Sequence, residues 1–159
     1  MTTNKMFEDY ISINIDRIYR FAYTFTRNRE DAEDIVNDSV IKALNSLKTL
    51  KNTDVMGPWF YRIVTNTAIT YLRKKNRIVY LDPADMEEAL TENENFDRLD
   101  FEEIIDKLDY KYKSVLVLRF FEDMPLSDIA FIQSENLNTI KTRLYRALKL
   151  LKIEMEASI

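Results

Sequence analysis

"LSDIAFIQSENLNTIKTRLYRALKLLK", Leu126 to Lys152, holds the key to the fold of this chain. "LSDIAFIQ" reads as a short helix, "SEN" as a tight turn, and "LNTIKTRLYRALKLLK" as a longer helix with Ile140, Leu144, Ala147, Leu148 and Leu151 inward. Helix, short turn and longer basic helix is the helix-turn-helix plan, whose second helix enters the DNA major groove. That second helix carries Lys141, Arg143, Arg146, Lys149 and Lys152 and no acid between Asn138 and Lys152, in a chain of net charge −4. A solvated terminal helix ordinarily mixes signs, so the absence of acids favours DNA. Lys141, Thr142, Tyr145 and Arg146 fall near its outer face, and Asn138 and Thr139 stand at its start, where base edges are reached first. Together with Arg143 they make a candidate duplex-reading surface. The turn has no Gly, which assigns any left-handed conformation there to Asn136.

Working upstream, Leu99, Ile104, Ile105 and Leu108 line one further helix, and Val115, Leu116, Leu118 and Phe121 much of the next, which Pro125 ends. The segment Asp82 to Asp109 has a net charge of −10, and the remainder of the chain +6. Within it, "DPADMEEALTENENFD" has too few large apolar residues to offset its ordering entropy, and reads as a linker. Two small helical domains result, residues 1–81 and 98–159, joined by the acidic stretch 82–97.

In the first, Phe7, Ile11, Ile15, Ile18, Ala22 and Phe25 keep to one helical face between Met6 and Phe25, with Tyr10 and Phe21 beside it. "RNREDAEDIVNDSVIKALNSL" restarts the helical pattern with Asn28 as its N-cap, and Ala32, Ile35, Val36, Val40, Ala43, Leu44 and Leu47 form its buried stripe. Its other face shows Glu30, Asp31, Glu33, Asp34, Asn37 and Asp38, more acid than capping requires. That surface is either solvated or a dock for a basic partner, and spacing alone does not separate the two. A third helix begins at Gly57 and Pro58 and buries Phe60, Ile63, Val64, Thr67, Ala68, Tyr71 and Leu72. Its other ridge presents Trp59, Arg62, Asn66, Thr70 and Arg73, followed by Lys74, Lys75 and Arg77. Amides, a hydroxyl, an aromatic ring and cations interleaved on one ridge suit single-stranded nucleic acid.

Composition narrows the alternatives. One Gly and three Pro in 159 residues favour an all-α fold. With no Cys and no His, the chain lacks thiol nucleophiles, zinc-thiolate sites and the usual general base. Neither an enzyme, nor a cofactor, a metal or a small-molecule substrate, is expected. No signal peptide opens the sequence and no apolar run approaches the roughly 20 residues of a membrane helix, so a soluble cytoplasmic protein is expected.

The blocks "DAEDIVNDSVIKAL", "WFYRIVTNTAITYLRK", "YKSVLVLRFFEDMPLSDIA" and "NTIKTRLYRALKLLK" come in the order found in extracytoplasmic-function (ECF) sigma factors, the two-domain initiation subunits of bacterial RNA polymerase. The chain resembles that family along nearly all its length. The resemblance implies that Asp31, Glu33, Asp34, Asn37 and Asp38 dock on core RNA polymerase. It further implies that the loop Lys48 to Met56 and the helix after it melt and read the minus-10 promoter element, with Asn66 near a flipped-out base, and that the C-terminal helix reads the minus-35 element. The wording looks closest to Gram-positive members governed by a membrane-anchored anti-sigma factor, which would hold the protein at the inner face of the membrane. Thr70 stands where many members have Asp, and Glu135 where they have an apolar residue. A stand-alone helix-turn-helix regulator is the alternative; it leaves the acidic helix and the Trp59 to Arg77 ridge without a purpose.

Overall fold

The computed structural model describes residues 2–75 and 108–157. These fall into two compact units, one carrying three helices near the N-terminus and the other most of the helix-turn-helix.

In the first unit, α1 spans Thr3–Thr26, α2 Arg29–Ser46 and α3 Met56–Lys75. The Thr2 hydroxyl caps α1 by accepting the Lys5 N–H at 3.2 Å. Arg27 enters the left-handed region at φ 53°, and its N–H closes α1 on the Tyr23 carbonyl at 2.8 Å. Asn28 then caps α2 as expected, accepting the Asp31 N–H at 2.9 Å. Two residues therefore suffice to reverse the chain. The connection to α3 is shaped by 3₁₀ turns at Leu47–Thr49 and Thr53–Val55, with Asn52 accepting the Asp54 N–H at 3.0 Å.

The three helices pack on one another around Phe7, Ile18, Phe21, Ile35, Phe60 and Val64, all buried. Aromatic edges meet faces: Phe7 and Phe60 lie 5.5 Å apart, and Phe21 and Phe25 5.2 Å apart at 90°. Most of the expected stripes are buried, with exceptions at their margins. Ile15 and Leu44 are 39% and 48% exposed, because a three-helix unit covers a narrower arc of α1 and α2 than their apolar stripes span. Tyr61 and Thr65, outside the expected inner face of α3, are buried; α3 touches both α1 and α2 and so buries two flanks.

In the second unit, α4 covers Tyr110–Leu116 and continues as a π-helical turn, Val117–Phe121. The Glu122 N–H reaches back five residues to the Val117 carbonyl at 3.0 Å. Leu108, Tyr112, Leu116, Ala147 and Leu150 form the core, with Leu144 and Leu148 packed against it. Phe121, expected inward, is 66% exposed. The wide turn adds a residue relative to an α-helix and rotates the end of the helix away from the core. The residues Leu99, Ile104 and Ile105, the stretch 82–97, Arg77 and the side chain of Leu151 lie outside the described residues.

Helix α5 spans Leu126–Gln133 and α6 Leu137–Ala157. The left-handed residue of their turn is Ser134, φ 56°, and not Asn136. Asn136 instead caps α6, its side-chain oxygen accepting the Thr139 N–H at 2.8 Å. A capping residue needs extended backbone, so the left-handed step falls two residues earlier, where the Glu135 N–H closes on the Ala130 carbonyl at 3.0 Å. Among the described residues no helix is long and apolar enough to cross a membrane, and no cluster of acids could hold a metal ion.

Candidate nucleic-acid and polymerase interfaces

Helix α6 is anchored by buried Ile140, Ala147 and Leu150, and this orientation turns Asn138, Lys141, Thr142, Tyr145 and Arg146 to the exterior. Tyr145 is 71% exposed, an unusual position for so large a ring. The Thr142 hydroxyl donates to the Asn138 carbonyl at 3.0 Å, and the Arg146 guanidinium donates to the Tyr112 hydroxyl at 3.4 Å. Thr139 is half-buried at the helix start. Arg143 departs from the expected surface: it is only 9% exposed and donates from Nη2 to Glu135 Oε1 at 3.0 Å. Its spacing sets it one position from the outer face, on the flank that meets the turn.

On α3, Asn66, Thr70, Arg73, Lys74 and Lys75 are exposed, and Trp59 and Arg62 half-buried. Trp59 lies edge-to-face against Phe7 at 6.2 Å, so part of its ring belongs to the core. The Thr70 hydroxyl donates to the Asn66 carbonyl at 2.9 Å, leaving the Asn66 side chain outward. The ridge expected from the sequence is thus continuous from Asn66 to Lys75.

On α2, Glu33, Asp34, Asn37 and Asp38 are exposed. Glu33 pairs with Arg29 one turn away at 3.1 Å, a contact of little consequence at so exposed a site. Asp31 is different. Its carboxylate accepts a short hydrogen bond from the Tyr71 hydroxyl and pairs with Lys75 at 3.0 Å, tying the start of α2 to the end of α3. The Tyr71 hydrogen bond, reinforced by Lys75 and opposed by burial, holds the Asp31 carboxyl below its ordinary range. The same contact raises the Tyr71 hydroxyl, and Asp31 followed by Tyr71 raises the Lys75 ammonium. Beyond this tie, a groove of ≈ 360 Å³ separates the helices, with Asp34, Asn37 and Asp38 on the α2 side and Thr67, Thr70 and Lys74 on the α3 side.

Residues 11–78 match sigma-70 region 2, and residues 98–151 match sigma-70 region 4. The RNA polymerase sigma factor SigV of Bacillus subtilis is 41% identical over 97% of this chain and 93% of its own. The chain belongs to the ECF sigma factors. SigW of Bacillus subtilis, itself an ECF sigma factor, is 29% identical over 94% of this chain and 88% of its own. The fold is shared with the sigma factor RpoE of Bartonella quintana, solved with the anti-sigma factor NepR: TM-score 0.73, 21% identity, 96% of this chain and 98% of that one. It is shared too with CnrH, solved with the cytosolic domain of CnrY: TM-score 0.72, 20% identity, 98% and 91% covered.

As a sigma factor the chain directs RNA polymerase to promoters. Two further features mark the faces of α2 and α3. Ile41, 57% exposed, and Leu44 stand beside the acids of α2, so that surface is amphipathic and not merely charged. Ile41 is outward by period alone, whereas Leu44 belongs by period to the buried stripe and is left outside by the packing of three helices. The second is the Asp31–Tyr71–Lys75 tie, which joins residues 40 and 44 positions apart.

Proposed function

We propose that promoter recognition is divided between the two domains, residues 1–81 and 98–159, with the acidic stretch 82–97 as a tether. Glu33, Asp34, Asn37 and Asp38 dock α2 on a basic surface of core polymerase; Asp31 contributes there chiefly by fixing the end of α3. Trp59, Arg62, Asn66, Thr70, Arg73, Lys74, Lys75 and Arg77 take the melted minus-10 strand, with Asn66 reading an unstacked base and the cations neutralising phosphates. Asn138, Thr139, Lys141, Thr142, Tyr145 and Arg146 read the minus-35 element as duplex. The chain performs no chemistry of its own; catalysis belongs to the core enzyme. An anti-sigma factor holds it inactive, as the solved complexes of RpoE and CnrH suggest for a chain of this fold. Where that partner is membrane-anchored, the sigma factor waits at the inner face of the membrane.

The observation that carries the reading is the stretch of α6 from Asn138 to Lys152, which has five cations and no acid in a chain of net charge −4. Transcription with core polymerase on a library of promoter variants tests it. Arg146→Ala should cost about 1 to 3 kcal/mol of minus-35 discrimination if the guanidinium meets a base edge. If it meets only phosphate, all promoters weaken alike and the salt dependence falls by about one unit. Transcription from every dependent promoter unaffected by Arg146→Ala and Lys141→Ala together would defeat the assignment.

A further inference from the structure

Of the five cations between Asn138 and Lys152, Arg143 alone is buried, and it is held by an acid from the turn. Glu135 Oε1 accepts from Arg143 Nη2 at 3.0 Å, with the Arg143 side chain 11% and that of Glu135 36% exposed. Glu135 is fixed from its backbone as well, through the bond from its N–H to the Ala130 carbonyl. One residue on, Asn136 caps α6. The contact therefore links three points: the end of α5, the cap of α6, and a position two turns along α6. In the absence of a glycine the turn also holds Ser134 in the left-handed region, a conformation its side chain does not favour. Something besides backbone preference must hold that shape, and a partly buried charged hydrogen bond across the turn is stronger than a neutral one.

We infer that Glu135 and Arg143 form a strut that sets the angle of α6 to α5, so that Arg143 is a positioning residue of the recognition helix and Glu135 a determinant of minus-35 discrimination. The inference rests on the minus-35 reading of α6 given above. A guanidinium suits such a strut because its planar fork keeps a fixed direction, whereas a lysine would act as a mobile point charge. The outward residues Asn138, Lys141, Thr142 and Arg146 must reach base edges together, and a small rotation of the helix would move the far ones off their partners while leaving phosphate attraction nearly intact. The consequence is a separation of effects. Loss of the strut should lower selectivity and leave the salt dependence alone, because the strut itself neutralises no phosphate.

The test uses the full chain with core polymerase. Affinity is measured for a preferred minus-35 sequence and for a mismatched one across a salt series, in the wild type, Glu135→Gln, Arg143→Gln and the double variant. Each single variant should reduce the ratio of the two affinities on the order of tenfold, the double variant no further, with an unchanged salt slope. An Arg143→Gln slope lower by about one unit, with discrimination retained in Glu135→Gln, would show that Arg143 is a phosphate contact and overturn the strut. Circular dichroism checks folding. If Arg143→Gln melts the domain, Glu135→Gln decides by itself: lost discrimination at an unchanged slope supports the strut, and unchanged discrimination overturns it. A wild type that makes no distinction between the two sequences would instead sink the minus-35 reading, and the proposal with it.

Discussion

A carboxylate that accepts hydrogen bonds from a phenol and an ammonium stabilises the fold more when ionised than when protonated, and Asp31 is so placed. Its carboxyl is held below the ordinary value, chiefly by Tyr71, so its contribution is fully present at neutral pH. It is lost as pH falls through the ordinary Asp value of about 4 towards the lower folded value. Asp31→Asn should therefore melt earlier than the wild type at pH 7, and the gap should narrow on acidification below about pH 4; a gap independent of pH would mean that the carboxylate charge is irrelevant there. Thr65 makes the converse case: its hydroxyl is buried with no hydrogen-bond partner among the described residues. An unsatisfied buried polar atom costs about 1 to 3 kcal/mol, so Thr65→Val should raise the stability of the N-terminal unit by on the order of 1 kcal/mol in urea titration. A loss of stability would indicate that the hydroxyl has a partner. Asn28 is legible as a cap because capping is local, whereas Asp31 looks like one more surface acid because its partners lie 40 and 44 residues away.

At the scale of the element, helix position and extent follow closely from capping residues, proline and apolar period. The content of each face is less secure. The pattern of α3 predicts one buried stripe, yet Tyr61 and Thr65 are buried too because a second neighbour covers them. In α4 the π-helical turn moves Phe121 outward, and a widened turn depends on the fit of a helix against its surroundings more than on its own residues. The lone glycine offers a test. Among the described residues a Cβ at Gly57 would meet only the Tyr10 side chain, at 3.6 Å from its hydroxyl oxygen, an ordinary contact, and the residue lies within α3. Gly57→Ala should accordingly stabilise the unit by about 0.5 to 1 kcal/mol, since alanine restricts the unfolded chain and favours helix. Destabilisation on thermal melting would show that the first turn of α3 needs the glycine for another reason.

For the whole molecule, the distribution of charge governs behaviour more than its total. A segment of net charge −10 precedes the helix-turn-helix in the chain, while the rest carries only +6. Phosphate contacts supply most of the affinity for duplex, and this balance is small for tight autonomous binding at physiological salt. The free sigma factor should bind promoter duplex weakly by fluorescence anisotropy and acquire sequence-specific affinity when core polymerase is added. Nanomolar, specific binding by the free protein would contradict this and favour an autonomous regulator.

The all-α class, the caps, the helix-turn-helix and the exposed ridges of α3 and α6 were determined by the sequence itself, because each depends on interactions within a turn or two of helix. Asn66 and Arg146 are outward for the same reason: the apolar stripe opposite them leaves them no other side. Tertiary structure decided the residues at the edges of those stripes, where the chain pattern is silent about which neighbour arrives. It turned Ile15 and Leu44 outward and Thr65 inward, placed the left-handed turn residue at Ser134, and converted Asp31 and Arg143 from surface charges into internal ties. Charges attract across any stretch of chain that folding brings together, so their partners become visible only once the helices are packed.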